Sequence, residues 1–241
     1  MIALLFFVGI AAIVIWWLSK QHLTAKPWLE QGVIADAPGP PTTPEQTAKI
    51  GLGVFLAVVG SLFALFFLAY SLRMQLADWR PLPLPKLLWL NTGMLVLASV
   101  ALQWTSVAAR RGQIDDVKLG LRAAGVSSLA FLAGQLLAWQ QLMQAGFFLA
   151  SNPANTFFYL LTAVHGLHLL GGLVALGRAV GKARRGVDAK TIRLSVELCA
   201  AYWHFLLAVW LILFGILLLE SNGIVTDFLI RYCAPLFLGS K

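Results

Sequence analysis

Apolar runs of bilayer length alternate along this chain with short polar stretches. The first run covers residues 1–18 without a break and ends in Trp16-Trp17-Leu18, ahead of Lys20. It has neither a basic start nor a small-residue cleavage site, so it reads as a retained membrane span rather than a signal peptide. Residues 19–49 are polar and contain Pro38, Pro40, Pro41 and Pro44, the composition of an extended linker. At its end, Thr43-Pro44-Glu45-Gln46 has the form of a helix start, with proline in the first turn and an acid behind it. Five further spans are predicted over residues 50–72, 86–109, 121–145, 156–178 and 194–219. Residues 220–241 form a tail. Its one apolar piece is interrupted by Arg231 and Pro235 and is too short to cross a bilayer.

Composition agrees with this pattern: 59% of the residues are hydrophobic and 12% charged, which marks an integral membrane protein. The net charge of +8 would otherwise suggest nucleic acid, but the basic residues lie in the loops between apolar runs. Lys20, Lys26, Lys49, Arg110, Arg111, Lys118, Arg122, Arg178, Lys182, Arg184, Arg185, Lys190 and Arg193 fall on one side of a six-span topology. Only Arg73, Arg80, Lys86, Arg231 and Lys241 fall on the other, so 13 of the 18 Lys and Arg share a side. The positive-inside rule makes that side cytoplasmic and places both termini outside. Cys199 and Cys233 have no metal-binding spacing. The chain contains no phosphate-binding loop, no H-E-x-x-H and no dinucleotide fingerprint.

Against this apolar background four ionisable groups stand out. His165 and His168 lie in the fifth predicted span and His204 in the sixth, within Tyr202-Trp203-His204-Phe205. Glu197, the one acid inside a predicted span, precedes His204 by seven residues, close to two helical turns, so the two share a face. An intramembrane imidazole is costly without a partner. One reading makes the three histidines metal or haem ligands, with Glu197 as a fourth group. The other makes them an interhelical hydrogen-bond network joining the fifth and sixth spans. Glu197 also lies four residues after Arg193, the spacing of an ordinary helical ion pair. The tryptophans, among them Trp79, Trp89, Trp104, Trp139, Trp203 and Trp210, read as packing and interface residues.

Ala201-Tyr202-Trp203-His204-Phe205 followed by Val209-Trp210-Leu211 resembles the Y-W-H-F-x-x-x-V-W signature of subunit III of haem–copper cytochrome c oxidases. The run Phe157-Phe158-Tyr159-Leu160-Leu161-Thr162-Ala163-Val164-His165-Gly166-Leu167-His168, then Gly171-Gly172, is similar to the same family's F-F-x-x-T-G-x-H-G-x-H-x-x-x-G segment. Tyr70-Ser71-Leu72-Arg73 and Leu90-Asn91-Thr92 resemble its earlier landmarks, and Glu197 stands where many members keep a glutamate. Three carboxylates typical of the family are absent: their positions hold Val59, in Val58-Val59, and Ala138 and Leu207.

Hydropathy and the resemblance together describe an all-α integral membrane protein of six transmembrane helices, five of them the family core. A five-helix core over residues 50–219 would be joined to an extra N-terminal helix (1–18) by a proline-rich cytoplasmic linker (19–49), and followed by a periplasmic tail (220–241). The resemblance implies an accessory subunit without catalytic residues, metal or cofactor of its own. Haem and copper would sit in partner subunits I and II, which take electrons from cytochrome c or quinol and reduce oxygen to water with proton pumping. The subunit would stabilise subunit I, support its proton uptake and bind phospholipid, with Arg178, Arg184, Arg185 and Arg193 at the headgroups. Equivalent places in a quinol oxidase, or beside a nitric oxide reductase, are the alternatives.

Overall fold

The computed structural model describes residues 44–74, 76–185 and 189–221. All regular structure among them is helical, in five helices long and apolar enough to cross a membrane. We label them α1 (Pro44–Arg73), α2 (Leu87–Arg110), α3 (Ile114–Gln144), α4 (Pro153–Arg184) and α5 (Ala189–Ser221). They correspond to the second through sixth predicted spans. The N-terminal span, most of the proline-rich linker and the tail beyond Ser221 lie outside the described residues.

Except for α2, each helix is longer than its apolar run. α3 begins at Ile114 rather than at Leu121, α4 runs on to Arg184, and α5 starts at Ala189. Hydropathy marks where the hydrocarbon ends, whereas a helix ends where capping or proline stops it. At about 1.5 Å per residue, helices of 31, 32 and 33 residues exceed the roughly 30 Å hydrocarbon thickness. Their charged terminal turns therefore project into the aqueous boundary. The stops themselves are local. Gly112 (φ 75°) and Gly146 (φ 87°) take the left-handed conformation after α2 and α3. The amides that follow, of Gln113 and Phe147, donate back to the carbonyls of Ala108 (3.1 Å) and Leu142 (2.9 Å). α4 starts on Asn152, whose side chain accepts from the Ala154 amide at 3.3 Å, with Pro153 in the first turn.

The fold divides into two compact units at Ser71–Leu72. In the first, α1 starts at the proline and acid expected, with Lys49 donating to Glu45 at 2.7 Å. Val59, Phe63, Phe67 and Tyr70 recur three or four residues apart and form its buried face. The second unit is a ring of four helices. α2 packs on α3 and α5, and α4 packs on the same two. Its interior holds Leu88, Leu95, Leu102, Leu121, Phe131, Phe158, Leu169, Trp203 and Trp210, all fully buried. Residues 76–86 form a strap that leads into α2. Arg73, the last residue of α1, donates two hydrogen bonds to Asp78 of the strap, at 2.7 and 2.5 Å.

Candidate functional site

The ring interior is organised around the side chains of the α5 signature. Trp210 reaches the centre. Its ring meets Phe131 of α3 edge-on at 4.8 Å and His165 of α4 at 5.3 Å, and its indole N–H donates to Thr92 Oγ1 of α2 at 3.0 Å. Four helices thus converge on one side chain. His165 is fully buried between those rings, 5.8 Å from Phe131.

Two turns nearer the helix start, Trp203 donates to Ser128 Oγ of α3 at 2.9 Å, and Tyr202 donates to the His168 carbonyl of α4 at 2.8 Å. Both rings lie against Gly172. A Cβ there would come within 2.7 Å of the Tyr202 ring and 3.0 Å of the Trp203 ring, so this crossing of α4 and α5 requires glycine. The side-chain Nδ1–H of His168 donates to its own helix, at the Val164 carbonyl (2.8 Å).

Three of the interior tryptophans are anchored by one construction. Trp203 donates to Ser128, Trp210 to Thr92 and Trp139 to Thr162 (3.1 Å). Each accepting hydroxyl donates in turn to the carbonyl four residues before it, Ala124, Leu88 and Phe158 respectively. An indole N–H finds no acceptor in hydrocarbon and needs one from a neighbouring helix. A hydroxyl that returns its own proton to the backbone leaves its lone pairs free, so it supplies an acceptor without creating an orphan donor. Ties of this kind between membrane helices contribute about 0.6 kcal/mol on average.

His204 faces α2 instead of α4. Its Nδ1 is hydrogen-bonded to Ser99 Oγ and its Nε2 lies 3.1 Å from Gln103 Oε1. Since the carboxamide oxygen can only accept, Nε2 carries the proton and Nδ1 accepts from the Ser99 hydroxyl. Glu197 faces the same helix, as its seven-residue spacing from His204 requires. Its carboxylate accepts from Arg110 of α2 (3.1 Å) and from Arg193 (3.0 Å). The i, i+4 pair with Arg193 is the expected one, and the Arg110 partner is supplied by tertiary packing.

The predicted network joining the fifth and sixth spans is therefore redistributed. His204 and Glu197 tie α5 to α2, His165 is packed among rings, and the direct α4–α5 hydrogen bond comes from Tyr202. Among the described residues no three His, Cys, Asp or Glu side chains gather as metal ligands. Phe205 is only half-buried. Of the basic residues assigned to lipid headgroups, Arg178 and Arg184 are exposed on the last turns of α4 and Arg185 just beyond it, while Arg193 is engaged by Glu197. Ser99, Gln103 and Ser128 carry no signal of their own in the sequence, and Thr92 stands only within the Leu90-Asn91-Thr92 landmark. Their role depends on what the neighbouring helix presents.

A second acid also belongs to α5. Glu220 was expected at the start of the tail, but it occupies the last helical turn, is 5% exposed and accepts from the Trp79 indole at 2.6 Å. Trp79 lies on the strap and packs against Phe157 of α4 (6.1 Å), while the neighbouring Arg80 carbonyl accepts from Asn152 at 2.5 Å. The strap thus closes one end of the ring, and the Arg110–Glu197–Arg193 group closes the other. Glu197 is accordingly not the only acid in a span.

These features define a multi-pass membrane helix bundle whose intramembrane polar groups serve as helix-to-helix ties. The sequence profile of cytochrome c oxidase subunit III matches residues 42–220, and the chain belongs to that family. It is 29% identical over 170 residues to cytochrome c oxidase subunit 3 of Synechocystis sp., covering 68% of this chain and 72% of that one. It is 28% identical over 173 residues to cytochrome c oxidase subunit 3 of Thermostichus vulcanus, covering 70% and 85%. The matched residues take in all five helices except the last residue of α5, and leave out the N-terminal run.

Proposed function

We propose that this chain is an accessory, non-redox subunit of a respiratory cytochrome c oxidase. It stabilises subunit I, supports proton uptake into it and binds phospholipid. Haem and copper are held by the partner subunits I and II, through which electrons from cytochrome c enter. The observation carrying this reading is the use made of the signature residues: Tyr202, Trp203, His204 and Trp210 each spend their polar atoms on a neighbouring helix. Residues 1–18 add a sixth span in this reading, and the charge count puts both termini on the periplasmic side of the inner membrane. The cytoplasmic edge then presents Arg178, Arg184 and Arg185 to anionic headgroups.

Purification in mild detergent through a tag on this chain tests the proposal. The expected preparation contains haem–copper subunits and reduces oxygen, and its haem absorption leaves with those subunits when they are stripped away. A chain that purifies alone, or that retains haem after stripping, overturns it.

A further inference from the structure

The α2–α5 seam carries polar side chains on the outside of the ring. His204 and Gln103 are both exposed, although both lie deep in their spans. His204 is fifteen residues from the start of α5 and seventeen from its end. Gln103 is seven residues from Arg110, so its backbone lies about 10 Å below the level of that cation, too deep for a glutamine side chain to reach water. Gln103 uses its oxygen on His204. Its amide nitrogen, with two N–H groups, has no acceptor among the described residues. Acyl chains offer none, and polar residues at this depth characteristically face protein.

The surroundings fit a helix as the missing cover. Ala201 and Ala208 flank His204 on the same face of α5 and are exposed, which lets another backbone approach closely. On α2, Val96 and Val100 are 38% and 59% exposed beside Gln103, and Leu211 of α5 is 47% exposed. The result is a donor set in an apolar frame with small residues beside it.

We infer that the α2–α5 seam, centred on Gln103 and His204, is the docking face for a transmembrane helix of another oxidase subunit, one that presents a hydrogen-bond acceptor at mid-membrane depth. The inference rests on the accessory-subunit reading above and adds to it which face is used and what chemistry the partner brings. A photo-reactive residue in place of Val100 leaves the Ser99–His204–Gln103 bonds intact. Irradiated in the membrane and purified as the complex, it is expected to cross-link to a membrane-spanning peptide of a partner subunit. That peptide carries an acidic, amide or hydroxyl side chain near the adduct. In the same complex, Gln103→Leu is expected to raise dissociation of this chain roughly three- to fifteenfold, the range of single interhelical hydrogen bonds. An intact complex whose cross-links reach only lipid, or only this chain, overturns the inference and leaves the accessory role standing. A chain that purifies without partners removes both.

Discussion

α5 is held differently on its two sides, and the contrast explains how one helix can order the ring. Toward α4 the contact is chiefly steric, with one hydrogen bond from Tyr202 to the His168 carbonyl. Gly172 lets the Tyr202 and Trp203 rings lie against the α4 backbone, and His165 stacks beside Trp210. Toward α2 the contact is made by side chains reaching across. Glu197 meets Arg110, His204 meets Ser99 and Gln103, and Trp210 meets Thr92. Close packing sets distance, because an overlap of tenths of an ångström is resisted on every side. Long polar side chains set register and tolerate small displacements. The steric side is sealed, and the polar side keeps Gln103 and His204 exposed.

The largest effect is expected where the steric side is overfilled. Gly172→Leu places a side chain where even a Cβ collides with two rings that are themselves hydrogen-bonded. The expected loss is at the upper end of roughly 1–3 kcal/mol or beyond, read as a lowered unfolding midpoint in detergent and poor recovery of assembled complex. A midpoint like the parent's would show that α4 and α5 are not locked by contact.

Ser128→Ala is milder, because it removes an acceptor without adding volume. It strands the buried Trp203 indole N–H, and a loss of about 1 kcal/mol is expected by the same measurement. If Ser128→Ala and Trp203→Phe each cost this much while the double variant costs no more than either, the tie itself is confirmed. Additive losses would break the pairing.

On the polar side Glu197→Gln is expected to change stability by about 0–1 kcal/mol and to leave turnover of the complex intact, since both arginines are more than half exposed. Loss of most activity in an assembled complex would make Glu197 a proton carrier instead of a tie.

The smallest effect concerns the strap. The Arg73 guanidinium hydrogen-bonded to Asp78 holds that carboxyl below its usual range. This contribution is present in full above the ordinary aspartate pKa and is lost as pH falls through the lowered value. Peptic cleavage within residues 74–80 should therefore rise through that acidic window in the parent. Asp78→Asn should be cleaved more readily across the range and show no such step.

Much of this was legible from residue types alone. Five of the predicted spans correspond to described helices because an apolar run in a bilayer must satisfy its backbone internally, which leaves a helix as its form. The Arg193–Glu197 pair was readable from spacing, since partners four apart need no tertiary information. Glu220 was misplaced for the opposite reason. Next to Ser221-Asn222-Gly223 it looks like the first residue of a tail, and only the Trp79 indole, 141 residues away in sequence, gives it an interior site. The anchoring role of the hydroxyls was equally silent, even for Thr92 and Thr162 inside the family landmarks, because serine and threonine are common in membrane helices and become anchors only where an indole arrives.

The sequence by itself determined that the chain is a multi-pass helical membrane protein, which of its residues carry the subunit III signature, and that Glu197 and His204 share a helix face. These follow from hydropathy, local spacing and residue identity. Only the tertiary structure decided that this face turns to α2, that His165 sits among rings, and that Gly172 governs the approach of α4 to α5. Those outcomes depend on which helices become neighbours and at what rotation, and no periodicity within a single helix encodes that.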